Sequence, residues 1–147
     1  MSEKTRKQIY ARAEATILQA IDIDEWNTAP LRAYGDLLLD LERPEAALKK
    51  FDRALRLDRC DWLAWAGRGN ALRACKRPAQ AVTSYERALR FRPNTEWVLE
   101  RLAKTLQELG RHSEAIDKLD QILELNPRNV RVQELRNESL RKIGKLP

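Results

Sequence analysis

The chain has 147 residues, of which 34% are charged and 43% hydrophobic, and its formal net charge is +6. With few glycines and prolines, this composition favours one domain of helices with charged outer faces over sheets or disordered tails. No run approaches the roughly 20 apolar residues of a membrane span, and the first residues lack the apolar stretch of a secretory signal. We therefore expect a cytoplasmic protein without a membrane span.

The first predicted element is a single N-terminal helix within residues 3–27, running from about Glu3 to Ile23. It carries the spacing Ala13-x3-Ile17-x2-Ala20, and no matching helix precedes it. These apolar residues would form a flank with no neighbour on one side. We hypothesise that a second copy of the protein covers this flank through self-association, or that a segment upstream of this sequence does.

The same spacing then returns three times at a period of 34 residues, in the units 28–61, 62–95 and 96–129. The repeated residues are Ala47, Phe51 and Ala54 in the first unit, Ala81, Tyr85 and Ala88 in the second, and Ala115, Leu119 and Ile122 in the third. Small residues allow two antiparallel helices to approach closely, and the bulky ones fill the space between neighbouring units. Each unit is therefore predicted to be a pair of antiparallel helices.

The last predicted element is one helix in residues 130–147. Leu140 and Ile143 keep the register of the preceding units, but Gln133 and Arg136 stand where apolar or small residues are expected. A polar outer face is typical of the terminal unit of a stack, because no further unit covers it. This element is predicted to be a capping helix.

These spacings resemble the tetratricopeptide repeat (TPR), whose signature is W-x2-L-G-x2-Y…A-x3-F…P. Trp65 stands in the Trp place of the middle unit, Gly35 and Gly69 in the Gly place, and Pro93 and Pro127 close the second and third units. The resemblance implies an all-α solenoid, a right-handed superhelix of antiparallel helix pairs that forms a single domain over the whole chain. It also implies a protein-binding scaffold with no catalytic activity.

Residue types that carry chemistry are sparse. His112 is the one histidine and is expected in an exposed turn, and Cys60 and Cys75 lie 15 residues apart without a partner motif. Neither a metal-ligand spacing nor a nucleophile motif is present. We expect no enzyme, no cofactor and no metal.

Proteins of the TPR family hold partner segments in a groove lined by the first helix of each pair, so the resemblance places the binding site there. On a helix, residues three or four apart share a face, so the second, fifth, ninth and twelfth places of each unit should line the groove together. The candidate ligand-binding residues from these places are Arg32, Asp36, Asn70, Arg73, Trp97, Lys104 and Arg131. Arg101 joins them because it and Arg32 are the two residues compatible with the carboxylate clamp of other TPR domains. Trp97 and Asn70 lead this set, and the alternative for Trp97 is packing against Leu63. A carboxylate clamp of the kind that holds chaperone tails is not expected, because Asp36 would repel a carboxylate.

The predicted function is a scaffold or adaptor that binds a protein segment or a partner helix in this groove. One alternative is a dedicated chaperone for a protein client, since a lone helix before three repeats resembles small TPR chaperones of bacterial secretion systems. The other is binding of an acidic partner or nucleic acid by the middle unit, which has seven basic residues and one acidic residue. No aromatic stripe accompanies those bases, so nucleic acid is the less favoured ligand.

Overall fold

The protein is described by a computed structural model that covers residues 1–147 and contains eight α-helices and no strand. The helices are α1 (Glu3–Ile23), α2 (Thr28–Asp40), α3 (Pro44–Leu57), α4 (Trp62–Ala74), α5 (Pro78–Phe91), α6 (Glu96–Glu108), α7 (His112–Leu125) and α8 (Val130–Lys142). The expected all-α fold is confirmed. None of the helices combines the length and the apolar character that a membrane crossing needs.

Local sequence signals explain where the helices begin. The side chains of Asn27, Asp61 and Asn129 accept hydrogen bonds from backbone N–H groups in the first turns of α2, α4 and α8. Such caps satisfy N–H groups that have no partner within the helix. Pro44 and Pro78 begin α3 and α5. Proline is tolerated there because the N–H of the first helical residue has no acceptor within the helix, so its absence removes no helix hydrogen bond.

The helices pack in chain order, each against the next, with pairs α2–α3, α4–α5 and α6–α7. The helix α2 also contacts α4, so first helices of successive pairs lie side by side. The helix α1 packs on α2 and α8 packs on α7, which leaves each terminal helix with a neighbour on one side only. The result is a stack of helices in two layers.

Aromatic rings packed against glycines hold the pairs together. The ring of Phe51 lies against both Gly35 and Gly67, and the ring of Tyr85 lies against Gly69. Both rings are fully buried, with at most 1% of their surface exposed. Since each ring occupies the space that a Cβ atom would need, glycine at these sites sets how closely the helices approach.

The terminal helices are less buried than the centre. No residue of α1 is fully buried, and Ile9 and Leu18 are about half exposed. The helix is fixed on its inner side by Ile21, which packs against Leu31 and its neighbours, and by the Tyr34 hydroxyl, which donates to Glu14 at 2.6 Å. The outer side of α1 has no neighbour within the chain.

At the other end, α8 buries Val132 and Ser139 against the preceding helices. Gln133 is exposed, as expected of an outer face, whereas Arg136 is half-buried because it pairs with Asp120 of α7.

The expectation that His112 lies in an exposed turn is wrong. His112 begins α7 and is half-buried, with its Nδ1 atom 3.5 Å from the Ser139 hydroxyl. The turn occupies residues 109–111, one residue earlier than expected, and Gly110 adopts a positive φ of 72° within it. The one histidine of the chain is therefore part of the contact between α7 and α8.

The ring-against-glycine packing makes a direct prediction. A Cβ atom at position 69 would lie 2.6 Å from Tyr85 Cε1, so Gly69→Ala should lower the free energy of unfolding by about 1–3 kcal/mol through overpacking. This loss should appear although alanine favours a helix by about 1 kcal/mol over glycine. Denaturant unfolding of both proteins measures the difference.

The matched control is the same substitution in a Tyr85→Leu background, which removes the ring. There Gly69→Ala should become neutral or stabilising, because the helix preference then acts without the clash. Equal losses in the two backgrounds would contradict the account.

Candidate functional site

The first helices α2, α4, α6 and α8 form one layer, and polar contacts connect each with the next. Arg32 Nε of α2 lies 2.9 Å from Asp61 Oδ2, at the start of α4. The amide of Gln107 in α6 donates to the Leu135 carbonyl at 2.9 Å and to the Ser139 hydroxyl at 2.7 Å in α8. We call the surface of this layer the groove face.

Most of the predicted basic ligand residues pair with carboxylates of this face. Arg73 of α4 pairs with Glu108 of α6. Lys104 Nζ lies 2.9 Å from Glu100 Oε1, and Arg131 of α8 pairs with the same carboxylate. Arg73 and Arg131 therefore connect neighbouring helices, whereas Lys104 pairs within α6, and each of the three cations is partly neutralised.

Two predicted residues carry charge without an ion pair in the chain. Arg101 is exposed beside the Arg73–Glu108 pair, and Asp36 is exposed on α2. Partial shielding of its carboxyl from solvent raises the pKa of Asp36, Asp40 raises it further, and Arg32 opposes the shift. The carboxyl of Asp36 thus keeps its proton to a higher pH than an ordinary aspartate.

Trp97 offers apolar area on the groove face. Its side chain is 41% exposed, and its ring centroid lies 6.2 Å from that of Trp62 at a tilt of 46°. Leu63, next to Trp62, is 37% exposed. The aromatic neighbour of Trp97 is thus Trp62, which the sequence argument missed, and the indole remains open on its other side.

A cationic recess of about 550 Å³ lies towards the other end of α4 and α6. It is lined by Asn70, Arg73, Ala74, Lys76, Pro78, Arg101 and Glu108. Three of the eight predicted residues, Asn70, Arg73 and Arg101, therefore lie together. Lys104 and Arg131 meet separately at Glu100, and Arg32 and Asp36 lie on α2.

A hydrogen bond orients the side chain of Asn70 at the floor of the recess. The buried Tyr85 hydroxyl donates to Asn70 Oδ1 at 2.7 Å, which leaves the Asn70 amide nitrogen for other partners. The Nε atom of Arg73 is buried without an acceptor. Four lining residues were missed, and two of them are charged, Lys76 and Glu108. Glu108 could have been found by extending the groove pattern one further helical turn beyond Lys104.

The sequence matches family models described as tetratricopeptide repeat over residues 33–95 and 72–138. The chain belongs to the tetratricopeptide-repeat family. This confirms the resemblance found in the sequence. A search of the curated proteins finds no match.

Solved TPR structures share the fold. The crystal structure of MamA protein superposes with a TM-score of 0.84 at 18% identity, covering 97% of this chain and 78% of that one. Another MamA crystal structure gives 0.83 at 18% identity, with 99% and 86% covered. YrrB, described as a TPR protein with an unusual peptide-binding site, gives 0.79 at 25% identity, with 87% of this chain and 66% of the YrrB chain covered. An all-α repeat solenoid is thus confirmed.

Members of the TPR family are typically protein-interaction scaffolds without enzymatic activity. No group of three or more His, Cys, Asp or Glu side chains lies close enough together to hold a metal ion. The groove face of this TPR protein can offer exposed indole and leucine surface, an amide nitrogen and arginine donors, which are the groups that bind peptide side chains and backbone.

The buried hydroxyl of Tyr85, beneath the recess, predicts how the stability of the protein depends on pH. Burial raises the pKa of the Tyr85 hydroxyl from 10.0 to about 12, with Arg73 and Arg101 opposing the shift. The folded protein therefore holds this proton more tightly than the unfolded chain. Its contribution is fully present below pH 10 and is lost as the pH rises towards about 12.

Wild-type stability should therefore fall between these pH values by about 2 kcal/mol more than that of Tyr85→Phe, whose ring cannot ionise. Denaturant unfolding at several pH values measures both proteins. Parallel curves for the two proteins would show that the hydroxyl ionises as easily in the folded state as in the unfolded state.

Proposed function

We propose that this TPR protein is a scaffold or adaptor that holds an extended segment or a helix of a partner protein on its groove face. The observation that carries the proposal is the pairing of an open indole, Trp97, with a cationic recess on the same two helices. A partner segment that crosses α4 and α6 would meet both.

The contacts follow from the chemistry of the face. A large apolar side chain of the partner would pack on Trp97 and Leu63, since the indole offers a wide, rigid surface at little entropic cost. The Asn70 amide nitrogen would donate to a backbone carbonyl, and Arg101 would attract an acidic side chain. The recess and the indole therefore fix both ends of the bound segment.

The paired cations have a supporting role in this proposal. Arg73, Lys104 and Arg131 are held by Glu108 and Glu100, so their donors are in place before a ligand arrives, which lowers the entropic cost of binding. On α2, Arg32 is held by Asp61, and the exposed Asp36 leaves a negative charge at the first pair that would favour a basic side chain of the bound segment.

The comparison with YrrB supports the proposal, because that TPR protein, at 25% identity, is described by its peptide-binding site. We include in the proposal that the protein works in the cytoplasm, without a cofactor and without catalysis. A chaperone would use the same groove, with its client as the bound segment.

The uncovered side of α1 favours a second candidate function, self-association. Ala13, Ile17 and Ala20, which were expected on the uncovered side, are half-buried. The apolar residues exposed on α1 are instead Ile9 and Leu18, at 51% and 44%, and α1 packs mainly on α2. Covering this side with α1 of a second copy would bury that apolar area. Sedimentation velocity of the wild type and of Ile9→Glu/Leu18→Glu tests it: a wild-type dimer that the variant cannot form supports the candidate, and a wild-type monomer at high concentration removes it.

Affinity capture from the source cells, followed by quantitative mass spectrometry, tests the groove. Trp97→Ala should reduce the recovery of the specific partner by about tenfold or more, because truncating a central aromatic contact costs about 2 kcal/mol or more. Arg101→Glu should reduce it as well, without touching the Trp62–Trp97 packing.

The matched control is Phe91→Ala. Phe91 is 44% exposed, close to the value for Trp97, but it lies at the end of α5, outside the groove face. Recovery of the groove partner should be unchanged in this variant, and circular dichroism should show both proteins folded. If Phe91→Ala loses the partner and Trp97→Ala keeps it, the groove is not the site.

A further inference from the structure

The second helices α3, α5 and α7, together with Trp65 and Arg68 of α4, form two clefts, one on each side of α5. The cleft between α3 and α5 has a volume of about 610 Å³, and the cleft between α5 and α7 about 510 Å³. Thr83 and Arg87 of α5 line both clefts. We call the two together the outer clefts, because none of their lining residues belongs to the groove recess.

The outer clefts are strongly basic. The cationic side chains that line them are Arg56, Arg59, Arg68, Arg87, Arg90 and Lys118, against the carboxylates of Asp52 and Glu86. Arg68 neutralises Asp52, with Nε at 2.8 Å from Oδ1. None of the other five cations forms an ion pair within the chain, so the positive charge of the clefts is uncompensated apart from Glu86.

Apolar surface lies between the charged side chains of the first cleft. Phe91 lines the first cleft and is 44% exposed, an unusual degree for a phenylalanine. Trp65 is fixed beside it, since its indole N–H donates to the Arg59 carbonyl at 2.9 Å and the Arg68 guanidinium lies 6.0 Å from its ring centroid. The first cleft thus joins an open aromatic ring to several arginines that have no carboxylate partner.

We propose that the outer clefts are a second binding site, for an acidic segment of a partner protein that places an apolar side chain on Phe91. Carboxylates of that segment would pair with Arg59 and Arg87 in the first cleft and with Arg90 and Lys118 in the second. Because this site lies apart from the groove face, the protein can hold two partners at once and bridge them.

The geometry favours an acidic protein segment over nucleic acid. A peptide can place single carboxylates at the cations of each cleft and an uncharged residue opposite Glu86, whereas a phosphate chain brings a charge at every nucleotide and would be repelled there. Bases would need open aromatic faces on which to stack, but the guanidinium of Arg68 lies over Trp65, which leaves Phe91 alone. A carboxylate segment needs only separate cationic pockets and one apolar contact.

Fluorescence anisotropy tests the site with a short synthetic peptide of aspartates and glutamates around one central phenylalanine, at low ionic strength. Arg59→Glu/Arg87→Glu should weaken binding about tenfold or more, because each change replaces an attraction with a repulsion. Phe91→Ala should weaken it too, and Trp97→Ala should leave it unchanged. Added salt should weaken wild-type binding.

The control is Lys76→Glu/Arg101→Glu, which makes the same change of charge in the groove recess. Its affinity for the acidic peptide should stay within about twofold of the wild-type affinity, because the variant lowers the net charge of the protein but leaves the outer clefts unchanged. A loss as large as that of Arg59→Glu/Arg87→Glu would place the acidic peptide in the groove and overturn the proposal. Absence of peptide binding to the wild type would also overturn it.

Two further outcomes would identify a different ligand for the outer clefts. Tighter binding of an oligothymidylate of equal length and charge would show that the clefts take nucleic acid.

The chain has its own exposed acidic stretch, with Asp22, Asp24 and Glu25 at the end of α1. Sedimentation showing a wild-type dimer that is lost in Arg59→Glu/Arg87→Glu would make a second copy the occupant. Either result overturns the proposal of a foreign acidic segment.

Discussion

The contact on which the rest of the molecule depends is an aromatic ring packed against a glycine. Phe51 fills the space beside Gly35 and Gly67, and so it joins the first helix pair to the second. Tyr85 does the same within the second pair. Because the Phe51 ring fixes how far apart the helices lie, it also aligns α2 and α4 in one layer. The groove face is a consequence of this packing.

Tyr85 links packing with the candidate site. Its ring lies against Gly69, and its hydroxyl holds Asn70 at the floor of the recess. The same side chain therefore sets a helix distance and orients a polar group for binding. Beyond it, ion pairs such as Arg73–Glu108 cross from one first helix to the next, so the charges of the groove face also hold the stack together.

The sequence alone was enough for the fold, because the period of 34 residues repeats small and bulky residues in phase across three units. The local geometry was harder to predict. His112 proved to be the first residue of α7, at the place that Pro44 and Pro78 take in α3 and α5, because the turn before it ends at Arg111. The contact between Trp97 and Trp62 depends on how two helices are rotated against each other.

The candidate site was predicted in part for a similar reason. Helical spacing found Asn70, Arg73 and Trp97 on one face, but it could not show that Glu100 serves both Lys104 and Arg131. The uncompensated charge of the middle unit was visible in the sequence. Its concentration in clefts on either side of α5 was not, because residues of α3 and α7 complete those clefts.

The central claim is that the groove face, where Trp97 is open, holds a segment of a partner protein. Hydroxyl-radical footprinting of the complex tests it most directly, since radicals oxidise exposed aromatic side chains and a bound segment shields them. The account predicts that Trp97 loses reactivity on binding of the groove partner, while Phe91 and Trp26, which are 44% and 74% exposed, keep theirs. Unchanged oxidation of Trp97 in a saturated complex would contradict it.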